Sequence, residues 1–299
     1  MLDYSKQTGI CKGHLRIYGF SSKGIATYVV VCYNTEKVLK GSVFMNQKND
    51  YIAVFDSGVG GISVLRHLLK ILPNERFLYY GDSINAPYGV RPREEVEQLT
   101  LAAAEKLMKR GLKAIVVACN TATAAAIEAL RAKYPDLVVI GIEPAVKLAA
   151  DRHPGGFVGV MATPGTLKSP RVLALVDRFR DKCNFELLPA PGLADLVEAG
   201  KQNGPEGEAL LRPMLEQYVG KMDALVLGCT HYPFAEEMLV KILGDRTELL
   251  DGGEGTARHT RRRLEAVGLL SDGPGELVIE NSLPGDTMIQ LSKRLAGLV

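Results

Sequence analysis

The sequence lacks the features that mark membrane, secreted and nucleic-acid-binding proteins. It carries 36 Lys and Arg against 34 Asp and Glu, a formal net charge of +2, so no overall field favours a nucleic acid or an anionic membrane. No apolar run approaches the roughly 18 residues that span a bilayer. The N-terminus also lacks the charged-then-apolar order of a signal peptide. We therefore predict a cytoplasmic protein with no nucleic-acid and no membrane partner.

Cysteine pairing is missing as well. The chain has five cysteines, at positions 11, 32, 119, 183 and 229. This odd number, without CxxC spacing, predicts neither a disulfide framework nor a structural zinc site, so we expect no bound metal. Cys119 and Cys229 are then expected to be free thiols.

Length and apolar content are sufficient for two domains with full cores. The chain has 299 residues, 46% of them hydrophobic, which is ordinary for a globular protein. One basic run, at 261–263, is most simply the solvated face of a helix. The chain is therefore expected to fold without disulfides.

From residue 51 onward, short β-branched runs alternate with helical patterns. The predicted strands are "YIAVF", "RFLYY", "AIVVA", "LVVIGI", "GFVGVM", "FELLP", "ALVLG" and "TELL". Between them, segments such as "GISVLRHLLKIL" and "GTARHTRRRLEAVG" have the periodicity of amphipathic helices. This alternation predicts an α/β fold with mostly parallel sheets flanked by helices.

Two similar halves are visible in the spacing of polar turns. Asp56 in "AVFDSGVGG" precedes Cys119 by 63 positions, and Thr163 in "GVMATPGTLKS" precedes Cys229 by 66. Each cysteine ends an apolar run and begins a helical pattern. Open α/β sheets bind ligands at the carboxyl edge of their strands, so we expect both turns of each half at such an edge.

These patterns predict two similar α/β domains with an active site in the cleft between them. The first comprises residues 50–143 plus 252–299 and the second residues 144–251, with the chain crossing near Glu143 and returning near Asp251. Residues 1–49 are expected to be an N-terminal extension outside the core fold. Within them, 1–44 resemble an upstream appendage, and Met45 is the expected true start.

The turn "FDSGVGG" fits neither common phosphate-binding motif. Gly58-x-Gly60 is followed by Ser63 where the dinucleotide fingerprint needs glycine, and no Gly-Lys-Ser/Thr follows. Two interpretations stay open: a strand-to-helix turn capped by Asp or Ser, or a cradle for a small carboxylate with Asp56 nearby.

The two cysteine turns are the strongest chemical signal. A free cysteine is most often a small buried hydrophobe, but Cys119 is followed by polar residues at a helix start, the setting that lowers a thiol pKa. Cys229 repeats this arrangement with His231 two positions on, where it could orient or share a proton. Glu198 lies near the end of an apolar stretch.

In chain order, the segments "DSGVGG", "GDSINAPYG", "ACNTATAAA", "ATPGT", "LVEAG" and "GCTHYP" resemble the glutamate racemases of the aspartate/glutamate racemase family. The resemblance runs from about residue 51 to the C-terminus. The paired "CNTA" and "GCTHYP" segments are specific for amino-acid racemases, and "PYG" favours glutamate over aspartate. One departure is Val172, where the family commonly has Tyr.

The resemblance implies a racemase that needs no cofactor and supplies D-glutamate for peptidoglycan synthesis, cell wall biogenesis and cell shape. Cys119 would take the α-proton of D-glutamate and Cys229 that of L-glutamate. Asp56 would assist the first thiol, and His231 and Glu198 the second. The substrate, glutamate, is the expected partner, with a homodimer left open. The positions matching substrate contacts are Asp56, Ser57, Tyr88, Gly89, Asn120, Thr121, Thr163, Thr166, Thr230 and His231.

Three alternatives remain open at this stage. An aspartate racemase would keep both thiols. A cysteine hydrolase would use Cys229 with His231 as base, but would leave Cys119 without a role. A non-catalytic amino-acid sensor would need neither thiol. For acid/base work at neutral pH, we expect a thiol pKa of about 7 to 8.5.

Overall fold

The computed structural model describes residues 47–298. The predicted appendage at 1–44 and the proposed start at Met45 lie outside this range, and of the extension at 1–49 only the last three residues are described.

Strands and helices alternate along the described chain. The strands are β1 Tyr51–Asp56, β2 Arg76–Gly81, β3 Leu112–Val117, β4 Val138–Gly141, β5 Phe157–Ala162, β6 Asn184–Pro189, β7 Ala224–Leu227, β8 Glu248–Asp251 and β9 Glu276–Asn281. The helices are α1 Ile62–Ile71, α2 Arg93–Met108, α3 Asn120–Lys133, α4 Val146–Arg152, α5 Pro164–Leu167, α6 Pro170–Asp177, α7 Leu193–Glu198, α8 Pro205–Leu215, α9 Glu236–Leu243, α10 Gly253–Ala266 and α11 Thr287–Ala296.

The strands form two parallel sheets with the same internal order. The first sheet runs β4-β3-β1-β2-β9 and the second runs β6-β5-β7-β8. Read from the other edge, the second sheet is β8-β7-β5-β6, so β5 to β8 repeat the placement of β1 to β4. The predicted α/β class and the two similar halves are confirmed.

Helices cover both faces of the first sheet, which explains its continuous apolar strands. Along β1 and β2, successive side chains alternate between two cores: Phe55 and Tyr80 belong to one, Val54 and Tyr79 to the other. All six residues of β3 are buried. Buried central strands hold their carboxyl ends rigidly, and Asp56 pairs in register with Gly81 at that edge.

Two details differ from the sequence expectation. Strand β9 was not predicted, because "ELVIEN" shows no two-residue alternation and is mostly half-buried at the sheet edge. After Cys229 the chain forms a short 3-10 turn, Tyr232–Ala235, before α9 begins at Glu236.

Between residues 47 and 298, none of the helices has the length and apolar character needed to cross a membrane. The domain boundaries stay a prediction.

Candidate active site

Both cysteines line one cavity at the carboxyl ends of the two sheets. Its volume is about 250 Å³, below the roughly 300–1,000 Å³ of drug-sized sites, so it suits a small ligand. The sequence-predicted residues that line it are Ser57, Tyr88, Gly89, Cys119, Asn120, Thr121, Thr163, Glu198, Cys229, Thr230 and His231. The segments that carry them are far apart in the chain and meet only because each follows a strand of one of the two sheets.

Cys119 follows β3 and caps the N-terminus of α3. Its Sγ accepts the Ala122 N–H at 3.4 Å, and its thiol donates to Ser57 Oγ at 3.5 Å. Burial and the nearby Asp56 charge raise the pKa of Cys119 to about 12. The expectation of a thiol pKa of about 7 to 8.5 is therefore wrong for Cys119, because desolvation outweighs the favourable helix terminus.

Cys229 follows β7 and begins a row of three side chains. Its Sγ lies 3.8 Å from His231 Nδ1, and His231 Nε2 lies 2.9 Å from Glu198 Oε1. Glu198 comes from the last turn of α7, another element of the same half of the chain. The row gives this thiol an imidazole and a carboxylate that Cys119 does not have.

The charged forms of both His231 and Glu198 are favoured where the two side chains meet. Burial by itself would lower the pKa of His231, but hydrogen bonds to Cys229 and Glu198 outweigh it, and the pKa is raised well above its usual value. Burial would raise the pKa of Glu198, yet the hydrogen bond and charge of His231 lower it. An imidazolium is therefore held beside the Cys229 sulfur, where it is an electrostatic partner for a thiolate.

Asp56 lies behind the cavity and does not line it. It is fully buried, with Oδ1 accepting the Gly58 N–H at 3.0 Å and Oδ2 accepting the Thr230 hydroxyl at 3.0 Å. Burial raises its pKa, with the His231 charge acting in the opposite direction. Asp56 therefore joins the end of β1 to the turn that follows β7.

The glycines of "FDSGVGG" allow the two halves to approach closely. A Cβ at Gly58 would lie 1.9 Å from Glu198 Oε1, and one at Gly60 would lie 2.4 Å from His231 Nδ1. Neither contact leaves room for a side chain. The Val59 N–H in this turn donates to Glu198 Oε1 at 3.2 Å, so the turn cradles a carboxylate that belongs to the protein itself.

A threonine cluster forms another wall of the cavity. The Thr121 hydroxyl is 3.2 Å from that of Thr163 and 2.9 Å from that of Thr166. Thr166 is fully buried and does not line the cavity. It lies behind Thr121, while Gly89 packs directly against Thr163.

The predicted Tyr88 lies in the wall of the cavity, whereas sequence reasoning missed Ser83 and Asp195. Tyr88 is held by a 2.7 Å hydrogen bond to Asp82 Oδ2, and burial raises the Tyr88 pKa. Ser83 and Asp195 also line the cavity. The "GDSINAPYG" motif contains Ser83, whereas Asp195 had no signal other than its position one helical turn before Glu198.

Asn120 offers an unused polar atom at the cavity. Its Oδ1 is buried and has no hydrogen-bond partner among the described residues. Buried polar atoms are nearly always satisfied, so such an atom at a cavity wall is suited to receive a donor from a ligand.

Within residues 47–298, no group of three or more His, Cys, Asp or Glu side chains is placed to hold a metal ion.

This arrangement defines the class: an α/β protein of two repeated sheets, with paired buried thiols at one small cavity equipped for acid/base chemistry. The family model described as Asp/Glu/Hydantoin racemase matches residues 59–260. A glutamate racemase of Clostridium botulinum (strain Alaska E43 / Type E3) is 44% identical over 84% of this chain and 98% of its own.

Two solved structures have the same fold. The glutamate racemase isoform RacE1 of Bacillus anthracis has a TM-score of 0.77 at 31% identity, covering 84% of this chain and 95% of that one. Escherichia coli glutamate racemase, in complex with L-glutamate and the activator UDP-MurNAc-ala, has a TM-score of 0.73 at 32% identity, covering 83% and 95%. The chain belongs to the Asp/Glu/Hydantoin racemase family and is a racemase.

Proposed function

We propose that the protein interconverts L-glutamate and D-glutamate without a cofactor, using Cys119 and Cys229 as its two acid/bases. One observation carries the proposal: the two thiols occupy equivalent positions after β3 and β7 and line the same small cavity. A base on one face of a carbon centre and an acid on the other can invert that centre directly by proton transfer. The relative named above as a glutamate racemase, similar over nearly its whole length, supports glutamate as the substrate.

In the L-to-D direction, Cys229 acts as a thiolate and removes the α-proton. The electron pair left on the carbon delocalises into the adjacent carboxylate, and Cys119 delivers its own proton to the opposite face. His231 stabilises the Cys229 thiolate before the transfer, and Glu198 holds His231 in place and charged. The reaction leaves Cys229 protonated and Cys119 as the thiolate.

Cys119 has a different role because burial raises its pKa to about 12. At neutral pH it keeps its proton and is ready to act as the acid. In the D-to-L direction it must first be a thiolate, and a thiolate whose conjugate acid has a high pKa is the stronger base for a carbon acid. The Ser57 hydroxyl and the Ala122 N–H are the groups that stabilise this anion.

The developing carbanion needs donors at the substrate carboxylate. Backbone N–H groups in the turns after Asn120 and Thr230 are suited to this, with the Thr121 hydroxyl beside them. By analogy with oxyanion holes, each such donor contributes about 10²–10³ in rate. The Gly58 and Val59 N–H groups and the Thr230 hydroxyl already donate to Asp56 and Glu198. Thr163 and Tyr88 fit the rest of the substrate, and we propose that Thr166 and Asp56 act through the neighbours that they hold.

A decisive test measures circular dichroism of L-glutamate with purified enzyme and no added cofactor. We expect the signal to decay to zero, and a stable signal would refute the proposal. Substituting L-aspartate separates the aspartate racemase alternative, which would racemise aspartate faster. Cys119→Ser and Cys229→Ser should each abolish racemisation, whereas a cysteine hydrolase built on Cys229 and His231 would tolerate the first change.

The resemblance also supports a cytoplasmic enzyme that supplies D-glutamate for peptidoglycan synthesis. We propose the domain division 50–143 plus 252–299 and 144–251. Its support is that β-strand pairing joins β9 only to the first sheet and never links the two sheets within residues 47–298. Limited proteolysis should cut first near the two crossings, and an early cut inside β1 or β7 would contradict this division.

A further inference from the structure

Tyr79 on β2 is a fully buried tyrosine that the mechanism above does not use. Its hydroxyl donates to the Gly58 carbonyl at 2.7 Å. Burial, together with the negative charges of Asp56 and Glu198, raises the Tyr79 pKa well above its usual value. The hydroxyl therefore keeps its proton across the working pH range and is a permanent donor to the Gly58 carbonyl.

The Gly58 carbonyl belongs to the same peptide group as the Val59 N–H. In a planar trans peptide these two groups point in opposite directions. The hydroxyl of Tyr79 holds the carbonyl, and the N–H on the other side donates to Glu198 Oε1 at 3.2 Å. A hydrogen bond to the carbonyl polarises the peptide and strengthens the N–H as a donor.

The same oxygen of Glu198 contacts His231, whose other ring nitrogen contacts Cys229. A continuous row of hydrogen bonds therefore runs from a core tyrosine of the first sheet to the thiol of the second half. Along this row the Gly58–Val59 peptide is the single connecting backbone group, so its orientation sets the position of the carboxylate.

We propose that Tyr79 is a positioning residue for the Cys229 side of the site. Its hydroxyl fixes the Gly58–Val59 peptide and thereby fixes Glu198 against His231. The kinetic consequences rest on the proposed function, but the effect on Glu198 does not. The row ends at the Cys229 thiol and includes neither Cys119 nor Ser57, so we expect Tyr79 to act mainly on the Cys229 side.

The test compares Tyr79→Phe with the matched control Tyr80→Phe. Tyr80 is the next residue of β2, lies in the opposite core, and its hydroxyl accepts a hydrogen bond from Lys106. Loss of a hydrogen bond of about 1 kcal/mol corresponds to about a fivefold change. We expect a fall in kcat of about this size for Tyr79→Phe, a much smaller change in KM, and wild-type values for Tyr80→Phe.

A second measurement does not depend on activity. The carboxyl titration of Glu198 is followed by ¹³C NMR in the two variants, with the resonance assigned through Glu198→Gln. The Val59 N–H lowers the Glu198 pKa, so weakening this donor in Tyr79→Phe should move the titration upward, while Tyr80→Phe leaves it in place.

The outcomes separate the two proposals. If the wild-type enzyme does not racemise glutamate, the proposed function fails, and the Glu198 titration still decides the role of Tyr79. An unchanged titration in folded Tyr79→Phe overturns that role. If the variant does not fold, 3-fluorotyrosine at position 79 keeps the shape and makes the hydroxyl a stronger donor. The Glu198 titration should then move downward, and an unchanged one would equally overturn the role.

Discussion

Replacing Gly60 with alanine should disable the enzyme while changing only one methyl group. The new Cβ would lie 2.4 Å from His231 Nδ1 and 2.6 Å from Thr230 Oγ1. Ordinary contact begins at 3.4 Å, so the imidazole must move by about 1 Å. It cannot rotate freely, because Glu198 holds the other side of the ring and Cys229 lies beside Nδ1.

A displacement of about 1 Å in a catalytic group costs about 10²-fold in rate. Overpacking a well-filled region costs about 1–3 kcal/mol of stability. We therefore expect Gly60→Ala to lower kcat about 100-fold in the circular-dichroism assay. We also expect it to lower the free energy of unfolding in urea by about 1–3 kcal/mol. The protein should still fold, because the crowded atoms are side-chain atoms at the cavity.

Gly255→Ala is the matched control. Gly255 lies in α10, and a Cβ there would meet no atom within 4 Å. Alanine in a helix interior stabilises by about 0.5–1 kcal/mol relative to glycine, so we expect unchanged kcat and a slightly higher free energy of unfolding. If Gly60→Ala kept kcat within threefold of the wild type, the close approach of the two halves would not position His231.

Three further predictions test the two sides of the site. In heavy water at low conversion, D-glutamate formed from L-glutamate should carry deuterium at the α-carbon while the remaining L-glutamate stays protonated, as mass spectrometry of the separated enantiomers would show; early label in the L pool would contradict separate roles for Cys119 and Cys229. Glu198→Gln should lower the free energy of unfolding most between about pH 4.5 and 6.5. The raised pKa of His231 contributes stability below its unfolded value of 6.5, and the lowered pKa of Glu198 contributes above its unfolded value of 4.5. Urea unfolding of wild type and variant across pH measures this, and a pH-independent difference would contradict it. Asp56→Asn should slow turnover yet raise stability at pH 8, because the buried carboxyl has a raised pKa and its ionisation costs stability as pH rises; a loss of stability at pH 8 would refute this.

The sequence was sufficient to predict the two sheets and the meeting of the cysteines. Buried parallel strands have continuous apolar runs, and a polar turn after each run marks the carboxyl edge. Cys119 and Cys229 could therefore be placed at equivalent strand ends before any contact was known. The edge strand β9 was not predicted, because a half-buried strand at the edge of a sheet has neither a continuous apolar run nor an alternation of apolar and polar residues.

The sequence could not predict which atoms of the site residues contact one another. The reason for glycine at positions 58 and 60 is the distance to Glu198 and His231, more than 130 residues away in the chain. The pKa of Cys119 depends on how completely the closed halves remove water from the thiol, a three-dimensional quantity that a local helix-start pattern does not contain. Thr166 matches the motif as well as Thr163 does, and only packing shows that it lies behind Thr121.

The repeated strand order has a consequence for kinetics. Enantiomers have equal free energies in water, so the equilibrium constant of a racemisation is one, and kcat/KM must be equal in the two directions whatever the enzyme does. Yet the repeat has diverged: one thiol has Ser57 and a helix start, the other an imidazolium and a carboxylate. The chemical difference between the two thiol sides can therefore appear only as a difference in kcat between the two directions that is matched by an equal difference in KM. A mutation on either side must therefore change both directions by the same factor in kcat/KM, and can bias the enzyme toward one mirror image only at saturation.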